Sequence, residues 1–236
     1  MNREFINGFK IMSILLTGGS GLLGTQLTSL DSSIISPERR ELDIENRSDC
    51  RQWVETLSSQ DILIHAAAFT SLPGSEEDPG AARNANIVGT VNLVNACQSS
   101  GVRLVYISTD YVFSGDKGFY KEEDPINPIN LYAKTKAAGE LAVRTYDNSL
   151  VIRTSFCENE FPHEKAFTDQ FTSRDYVDVI APMILAEAKS NRVGIAHVGT
   201  ERKSVYELAR QRKLNVGELS ILAVSFNAPR DTSFYN

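Results

Sequence analysis

The chain has 236 residues. That length can bury about 70% of the unfolded surface in one domain, or one domain with a small appendage, without disulfides or a structural metal. Hydrophobic residues at 42% and charged residues at 23% exclude wholesale disorder and collagen-like or mucin-like character, and a formal charge of −6 argues against broad nucleic-acid binding while leaving room for a local phosphate pocket.

No run approaches the roughly 18 apolar residues of a membrane span. The N-terminal stretch MNREFINGFKIMSILLTGG lacks the apolar core and cleavage site of a signal peptide, so its apolar part reads as a first strand over 11–16. The glycine cluster Gly18, Gly19 and Gly21 follows, and a helix opens over 21–30. A short second strand is expected at 33–36, a helix at 48–57 and a third strand at 61–65. Residues 84–98 carry Ile87, Val88, Val91, Leu93 and Val94 around a mostly buried helix. A fourth strand at 102–108, a helix within 128–146 and a fifth strand at 150–153 complete the alternation. Short apolar runs alternating with helices mean βαβ units, a buried parallel sheet and, with right-handed crossovers, a doubly wound α/β Rossmann domain.

After residue 155 the texture changes. Residues 156–174 are polar and irregular, and 175–189 look helical, with Pro182 expected to kink the helix or sit near its start. A strand is expected at 193–198 and a last one at 221–225. Ser204-Val-Tyr-Glu207 has the capping-box pattern that opens a helix to about Lys213. The expected organisation is an α/β domain over 1–155 and a small lobe over 156–236 packed on it. Cys50, Cys97 and Cys157 are too widely spaced for a disulfide framework or a zinc site, so no metal is expected and the setting expected is soluble, reducing and cytoplasmic.

Three clusters carry chemistry. Gly18, Gly19, Gly21 and Gly24 sit in the first strand-to-helix turn, where glycine lets the backbone approach a pyrophosphate and the helix N-terminus offers free N–H groups. A glycine-rich packing turn is the plainer alternative. After the second strand come Glu38, Arg39 and Arg40. The arginines suit a 2′-phosphate and favour NADP(H); Glu38 suits a ribose hydroxyl, which keeps NAD(H) open. Tyr132 and Lys136 lie four apart on one helix face, and an ammonium beside a phenol favours tyrosinate and lowers its pKa. Thr109 follows Ser108 at the carboxyl end of the fourth strand, the edge where open α/β sheets bind ligands. Read singly, each has a structural alternative: an exposed helix pair for Tyr132 and Lys136, turn chemistry for Thr109. His65 ends an apolar strand and reads as structural.

In this order the clusters resemble the extended short-chain dehydrogenase/reductases. The segments TGGSGLLG, LDI, HAAAFT, NIVGTVNL, YISTDYVFSG, PINLYAKTKAAGE and VIRTSF are most similar to the dTDP-4-dehydrorhamnose reductase, or sugar-nucleotide-binding reductase, family. The resemblance implies Tyr132 as proton donor, Lys136 as its orienter and a nicotinamide-ribose ligand, and Thr109 as holder of the substrate carbonyl. It implies cofactor contacts at Gly18, Gly21, Leu22, Leu23, Gly24, Arg39, Asp43, Ile44, Ala66, Ala67, Ala68, Tyr132 and Lys136, and substrate contacts at Thr70, Asn86, Tyr111 and Phe156. The implied reaction moves a hydride from NADPH to the 4-keto carbon of a nucleotide-linked 4-keto-6-deoxysugar. Asp110-Tyr111 stands where the related 4,6-dehydratases have Asp-Glu, which argues against dehydration. Arg174-Asp175-Tyr176-Val177-Asp178 resembles a short-chain reductase motif near the substrate nucleotide.

The substrate half departs from the family. Phe156 replaces a tryptophan, only 157–167 separate it from Thr168-Asp169-Gln170, and DQFTS lacks the family's glycine and proline. Two other functions remain open on these residues: an epimerase of the same superfamily, and a non-catalytic NADP-binding regulatory subunit. The helix over 84–98 and the Tyr132 helix offer surfaces for a homodimer.

Overall fold

Apolar strands whose side chains alternate between two faces need cover on both sides. The computed structural model, which describes residues 5–6, 9–10, 12–224 and 227–235, meets that need with helices on both faces of one sheet. An antiparallel pair, β1 (Phe5–Ile6) and β2 (Phe9–Lys10), comes first. There follow β3 (Ile14–Thr17), α1 (Leu22–Leu30), α2 (Arg47–Val54), β4 (Ile62–His65), α3 (Leu72–Glu77), α4 (Pro79–Arg83), α5 (Thr90–Ser100), β5 (Arg103–Thr109), α6 (Leu131–Val143) and β6 (Ser149–Thr154). The rest supplies β7 (Phe156–Cys157), β8 (Lys165–Phe167), β9 (Phe171–Thr172), β10 (Asp175–Tyr176), α7 (Val177–Lys189), β11 (Gly194–Val198), β12 (Lys203–Ser204), α8 (Val205–Arg212) and β13 (Gly217–Leu219).

The five main strands are parallel, in the order β11-β6-β5-β4-β3. Alternation along each strand builds two cores. Ile14, Leu16, Ile62, Ile64, Val105 and Ile107 pack with Leu23 and Leu27 of α1 and with Ile180 and Ile184 of α7. Leu15, Leu63, Leu104, Tyr106 and Val151 pack on the other face with Val54 of α2, Leu93 of α5 and Val143 of α6. This is the doubly wound, Rossmann-like α/β sheet expected from the sequence.

Some expected elements differ. Residues 33–36 form no strand: only Ile35 bridges Leu15, and Pro37 then has no N–H to extend a ladder. The helix expected over 84–98 opens with a π-helical turn, Asn84–Gly89, before α5. There the backbone of Gly89 lies against Ile44, where an added Cβ would come within 2.7 Å of Ile44 Cδ1. Pro182 sits inside α7. In place of a last strand over 221–225, Ile221–Ala223 is a single 3-10 turn capped by Ser220, whose side chain accepts from Leu222 N–H; Ser225 lies outside the described residues, as does Ile11 at the start of the first expected strand.

The chain after residue 155 plays two parts. Its α7 and β11 complete the sheet, whereas β7 with β10, β9 with β12 and β8 with β13 form three small pairings beside it. The capping box opening α8 is present: Ser204 Oγ accepts from Glu207 N–H at 3.0 Å, and Glu207 Oε2 accepts from Ser204 N–H at 2.6 Å. Among the described residues no helix is long and apolar enough to cross a membrane.

Candidate functional site

The carboxyl ends of β3, β4, β5 and β6 open into a cleft of about 1050 Å³. At one end lies the glycine turn. Gly18 has φ +81°, and an added Cβ would sit 2.6 Å from Ala67 N, so neither the conformation nor the space admits a side chain. At Gly24 an added Cβ would lie 2.2 Å from Gly18 O, so glycine also sets how closely α1 approaches the turn. No side chain caps α1 at Gly21, which leaves its first N–H groups directed at the cleft for an anion. Leu22, Leu23, Arg39, Asp43, Ile44, Ala66, Ala67 and Ala68 line the same end. Arg39 is 79% exposed and ion-paired to Glu45 at 3.0 Å; Arg40 is equally exposed, lies outside the lining and pairs with Glu38 at 2.8 Å. A glycine cradle, an uncapped helix start and a nearby guanidinium fit a dinucleotide phosphate group.

At the other end Thr109, Tyr132 and Lys136 converge. Asn130 caps α6 by accepting from Ala133 N–H at 2.9 Å, so the helix begins one residue before Tyr132. The Thr109 hydroxyl donates to Asp110 Oδ1 at 3.2 Å and faces the Tyr132 phenol, whose pKa it lowers. Burial pushes Tyr132 up to about 12, against the lowering contact with Thr109. The lowered pKa expected from a neighbouring ammonium therefore gives way to desolvation, and the phenol keeps its proton at neutral pH. Lys136 Nζ donates to Ile107 O at 2.8 Å and lies 4.1 Å above the Tyr106 ring. Burial brings its pKa down to about 7, with Glu140 pulling the other way.

His65 is structural. Thr90 donates its hydroxyl proton to Asn86 O at 2.8 Å, so it accepts from His65 Nε2 at 3.1 Å. The His65 Nδ1 atom then accepts from Thr17 Oγ1 at 2.8 Å. Both ring nitrogens are satisfied, and burial, with the Lys136 ammonium nearby, pushes the imidazole down to about 3.

Thr70, Tyr111 and Phe156 line the cleft as expected of substrate contacts, but Asn86 does not. Asn86 is buried, accepts from Phe69 N–H at 2.8 Å and donates to Phe69 O and Thr135 Oγ1. It clamps the segment after β4 onto α6. Arg174 lines the cleft beside Tyr111, its Nε donating to Ser155 Oγ at 2.9 Å. The RDYVD motif was its signal in the sequence. Ser155, Leu72 and Ala85 also line the cleft, and nothing local in the sequence marks them. Asp110 is buried beneath the site, where its carboxyl group accepts from the hydroxyls of Thr109, Thr172 and Thr232. Burial raises its pKa.

The family model described as the RmlD substrate binding domain matches residues 12–211. The chain is 33% identical to a dTDP-4-dehydrorhamnose reductase of Aggregatibacter actinomycetemcomitans over 180 residues, 72% of this chain and 61% of that protein. It thus spans less than two thirds of that curated relative. Among solved structures it is similar to a dTDP-4-dehydrorhamnose reductase of Bacillus anthracis in complex with NADP, with TM-score 0.84 and 30% identity over 95% of this chain and 89% of that one. A hypothetical dTDP-4-dehydrorhamnose reductase of Sulfolobus tokodaii gives TM-score 0.83 and 29% identity, covering 95% and 92%. A UDP-glucose 4-epimerase of Thermus thermophilus, at 21% identity and TM-score 0.70, shares the fold over 93% of this chain and 87% of that one. With a family match spanning most of its length, on a cleft that joins a dinucleotide cradle to a Thr-Tyr-Lys cluster, the chain belongs to the RmlD substrate binding domain family.

Proposed function

We propose that the chain is an NADP(H)-dependent reductase of a nucleotide-linked 4-keto-6-deoxysugar. The observation that carries this reading is the convergence of Thr109, Tyr132 and Lys136 at one end of a cleft whose other end is the glycine turn and Arg39. A relative with 30% identity has been solved with NADP, which supports the same cofactor here. Bound there, the cofactor would supply a hydride to the keto carbon.

The chain's own part follows from its geometry. Gly18, Gly21, Leu22, Leu23 and Gly24 would hold the pyrophosphate by backbone N–H groups, and Arg39 the 2′-phosphate. Asp43 and Ile44 would flank the adenine, and Ala66, Ala67 and Ala68 the ribose path. The Tyr132 phenol, protonated at neutral pH, would give its proton to the keto oxygen as negative charge grows there. Thr109 would hold that oxygen by turning its hydroxyl from Asp110. Lys136 would bind the nicotinamide ribose and keep positive charge beside the phenol. Thr70, Tyr111 and Phe156 would contact the sugar nucleotide, with Arg174 as the cation for its diphosphate.

In this reading 1–155 is the dinucleotide-binding part and 156–236 the substrate lobe, with α7 and β11 of the second segment built into the first part's sheet. We place the protein in the cytoplasm. A homodimer would use α5 with the π-helical turn before it and α6, where Val88 of the turn, Val91 of α5 and Leu141 of α6 are exposed; sedimentation at two concentrations tests that. The reductase reading is tested by NADPH consumption with dTDP-4-keto-6-deoxyhexoses. Turnover that vanishes in Tyr132→Phe supports it. Absence of turnover across a ketosugar panel, with wild type and Tyr132→Phe indistinguishable, overturns it.

A further inference from the structure

Three consecutive residues of β5 meet three residues on one face of α6. Thr109 contacts Tyr132 through side chains, Ile107 accepts from Lys136 Nζ through its carbonyl, and Ser108 Oγ donates to Glu140 Oε2 at 3.0 Å. The first two pairs belong to the reacting end of the cleft, and the third lies behind it. Glu140 is fully buried, one helical turn beyond Lys136, and is shared with a fourth group. Arg153 stands directly opposite Ser108 in the β5–β6 register. Its Nε donates to Glu140 Oε2 at 3.2 Å and its Nη2 to Oε1 at 2.5 Å. Arg153 is 1% exposed and also donates to Glu122 O at 3.1 Å. One buried carboxylate thus touches the elements that carry Thr109, Tyr132 with Lys136, and Thr154 with Ser155.

We propose that Glu140 is a positioning residue that locks α6, the helix of Tyr132 and Lys136, to β5 and β6 through Ser108 and Arg153 and sets the charge environment of Lys136 one helical turn away. The proposal rests on the reductase reading only for the consequence in turnover. A buried cation needs an opposing charge or loses its proton, and the Glu140 carboxylate, ion-paired to Arg153 at 2.5 Å, lies one helical turn from Lys136 and raises its pKa against the cost of burial. The other titratable groups around Lys136 are neutral phenols or imidazole: Tyr106 on β5, held protonated by burial, Tyr132 on α6, and His65 on β4. His197 of β11 faces Arg153, with Nε2 3.5 Å from Nη1, and burial keeps it neutral down to about 3. Among the described residues Glu140 is therefore the acidic group that acts on Lys136.

The two partners of Glu140 then act on Lys136 with opposite sign. Removing the carboxylate in Glu140→Gln lowers the Lys136 titration, whereas removing the competing cation in Arg153→Met leaves Glu140 to Lys136 alone and raises it. Either displacement should be about one pH unit or more. A residue that merely fills space would give no such opposition. The direct measurement is the pH dependence of the Lys136 13Cε chemical shift in the full chain, assigned with Lys136→Met and read without any sugar substrate. Glu140→Gln moving the titration down and Arg153→Met moving it up supports the proposal; both titrations superposing on the wild type overturns it. Should Glu140→Gln fail to fold, Arg153→Met decides by the same criterion. In turnover, the alkaline limb of the pH profile should move with the Lys136 titration in each variant. Displaced titrations in a protein that reduces no ketosugar uphold this inference and count against the substrate reading alone.

Discussion

The two ends of the cleft are held by different kinds of contact. At the glycine end the contacts are main-chain ones within a few residues: Gly18 O accepts from Gly21 N–H at 3.1 Å, and the turn presses on Ala67. At the Tyr132 end they are buried side chains drawn from β5, α6 and β6, such as Ser108, Glu140 and Arg153. Backbone packing tolerates almost no added volume but is indifferent to pH. Buried charge tolerates small changes of shape but is governed by protonation. The two ends should therefore break in different ways.

The largest effect belongs to the proposed proton donor. Tyr132→Phe removes the phenol and little volume, so turnover should fall by about a hundredfold to ten-thousandfold while dinucleotide affinity is unchanged. Stopped-flow NADPH oxidation and fluorescence titration of NADPH separate the two quantities. At the other end Gly18→Ala forces a Cβ to 2.6 Å from Ala67 N at φ +81°. It should destabilise the fold by about 1–3 kcal/mol and cut dinucleotide affinity by more than about tenfold. Thermal melts and calorimetry read both, and a normal affinity would show that the turn has room to spare. A smaller effect comes from pH. Lys136 is an ammonium below about 7 in the cofactor-free protein, so dinucleotide affinity should fall as pH rises through that value. His65→Gln should leave this dependence in place, because the imidazole is already neutral from about 3 upward. A dependence that disappears with His65 would reverse the assignment.

The comparison also explains what the sequence made legible. The glycine turn, the capping box at Ser204 and the alternating strands are local patterns, and the fold repeats them closely. Tyr132 and Lys136 were readable because a helix brings residues four apart to one face. Glu140 follows Lys136 at the same spacing, yet its meaning depends on Arg153, which arrives on a different strand through register. Asn86 shows the converse. Its place in a family segment suggested a pocket contact, whereas its side chain is consumed by Phe69 and Thr135. Ser33 to Ser36 looked like a strand by composition, but a ladder also needs N–H groups that Pro37 cannot supply. The helix and strand expected at 175–189 and 193–198 are present as α7 and β11, but that they join the main sheet depends on the pairing of β11 with β6, which no local pattern carries.

The finest test concerns Arg39 and Arg40, which the sequence treats alike and the structure separates. Only Arg39 lines the cleft; Arg40 points to Glu38 at 2.8 Å. A charged hydrogen bond to a phosphate contributes about 1.5–3 kcal/mol, and exposure of Arg39 puts the expected value at the lower end. Arg39→Ala should weaken NADPH binding by about tenfold and leave NADH binding unchanged, because NADH has no 2′-phosphate for the guanidinium to hold. The gain in NADPH affinity on lowering salt should shrink in the same variant. Arg40→Ala should change neither affinity, since the bond it loses is a surface ion pair outside the cleft. Equal losses for NADPH and NADH in Arg39→Ala would mean that Arg39 acts by holding Glu45 and Asp43 in place, which it reaches at 3.0 and 3.9 Å. The adenosine end would then owe its shape to an ion-pair network, and its preference for the phosphorylated cofactor would have to come from the backbone of Ser36 and Pro37, which line the cleft beside it.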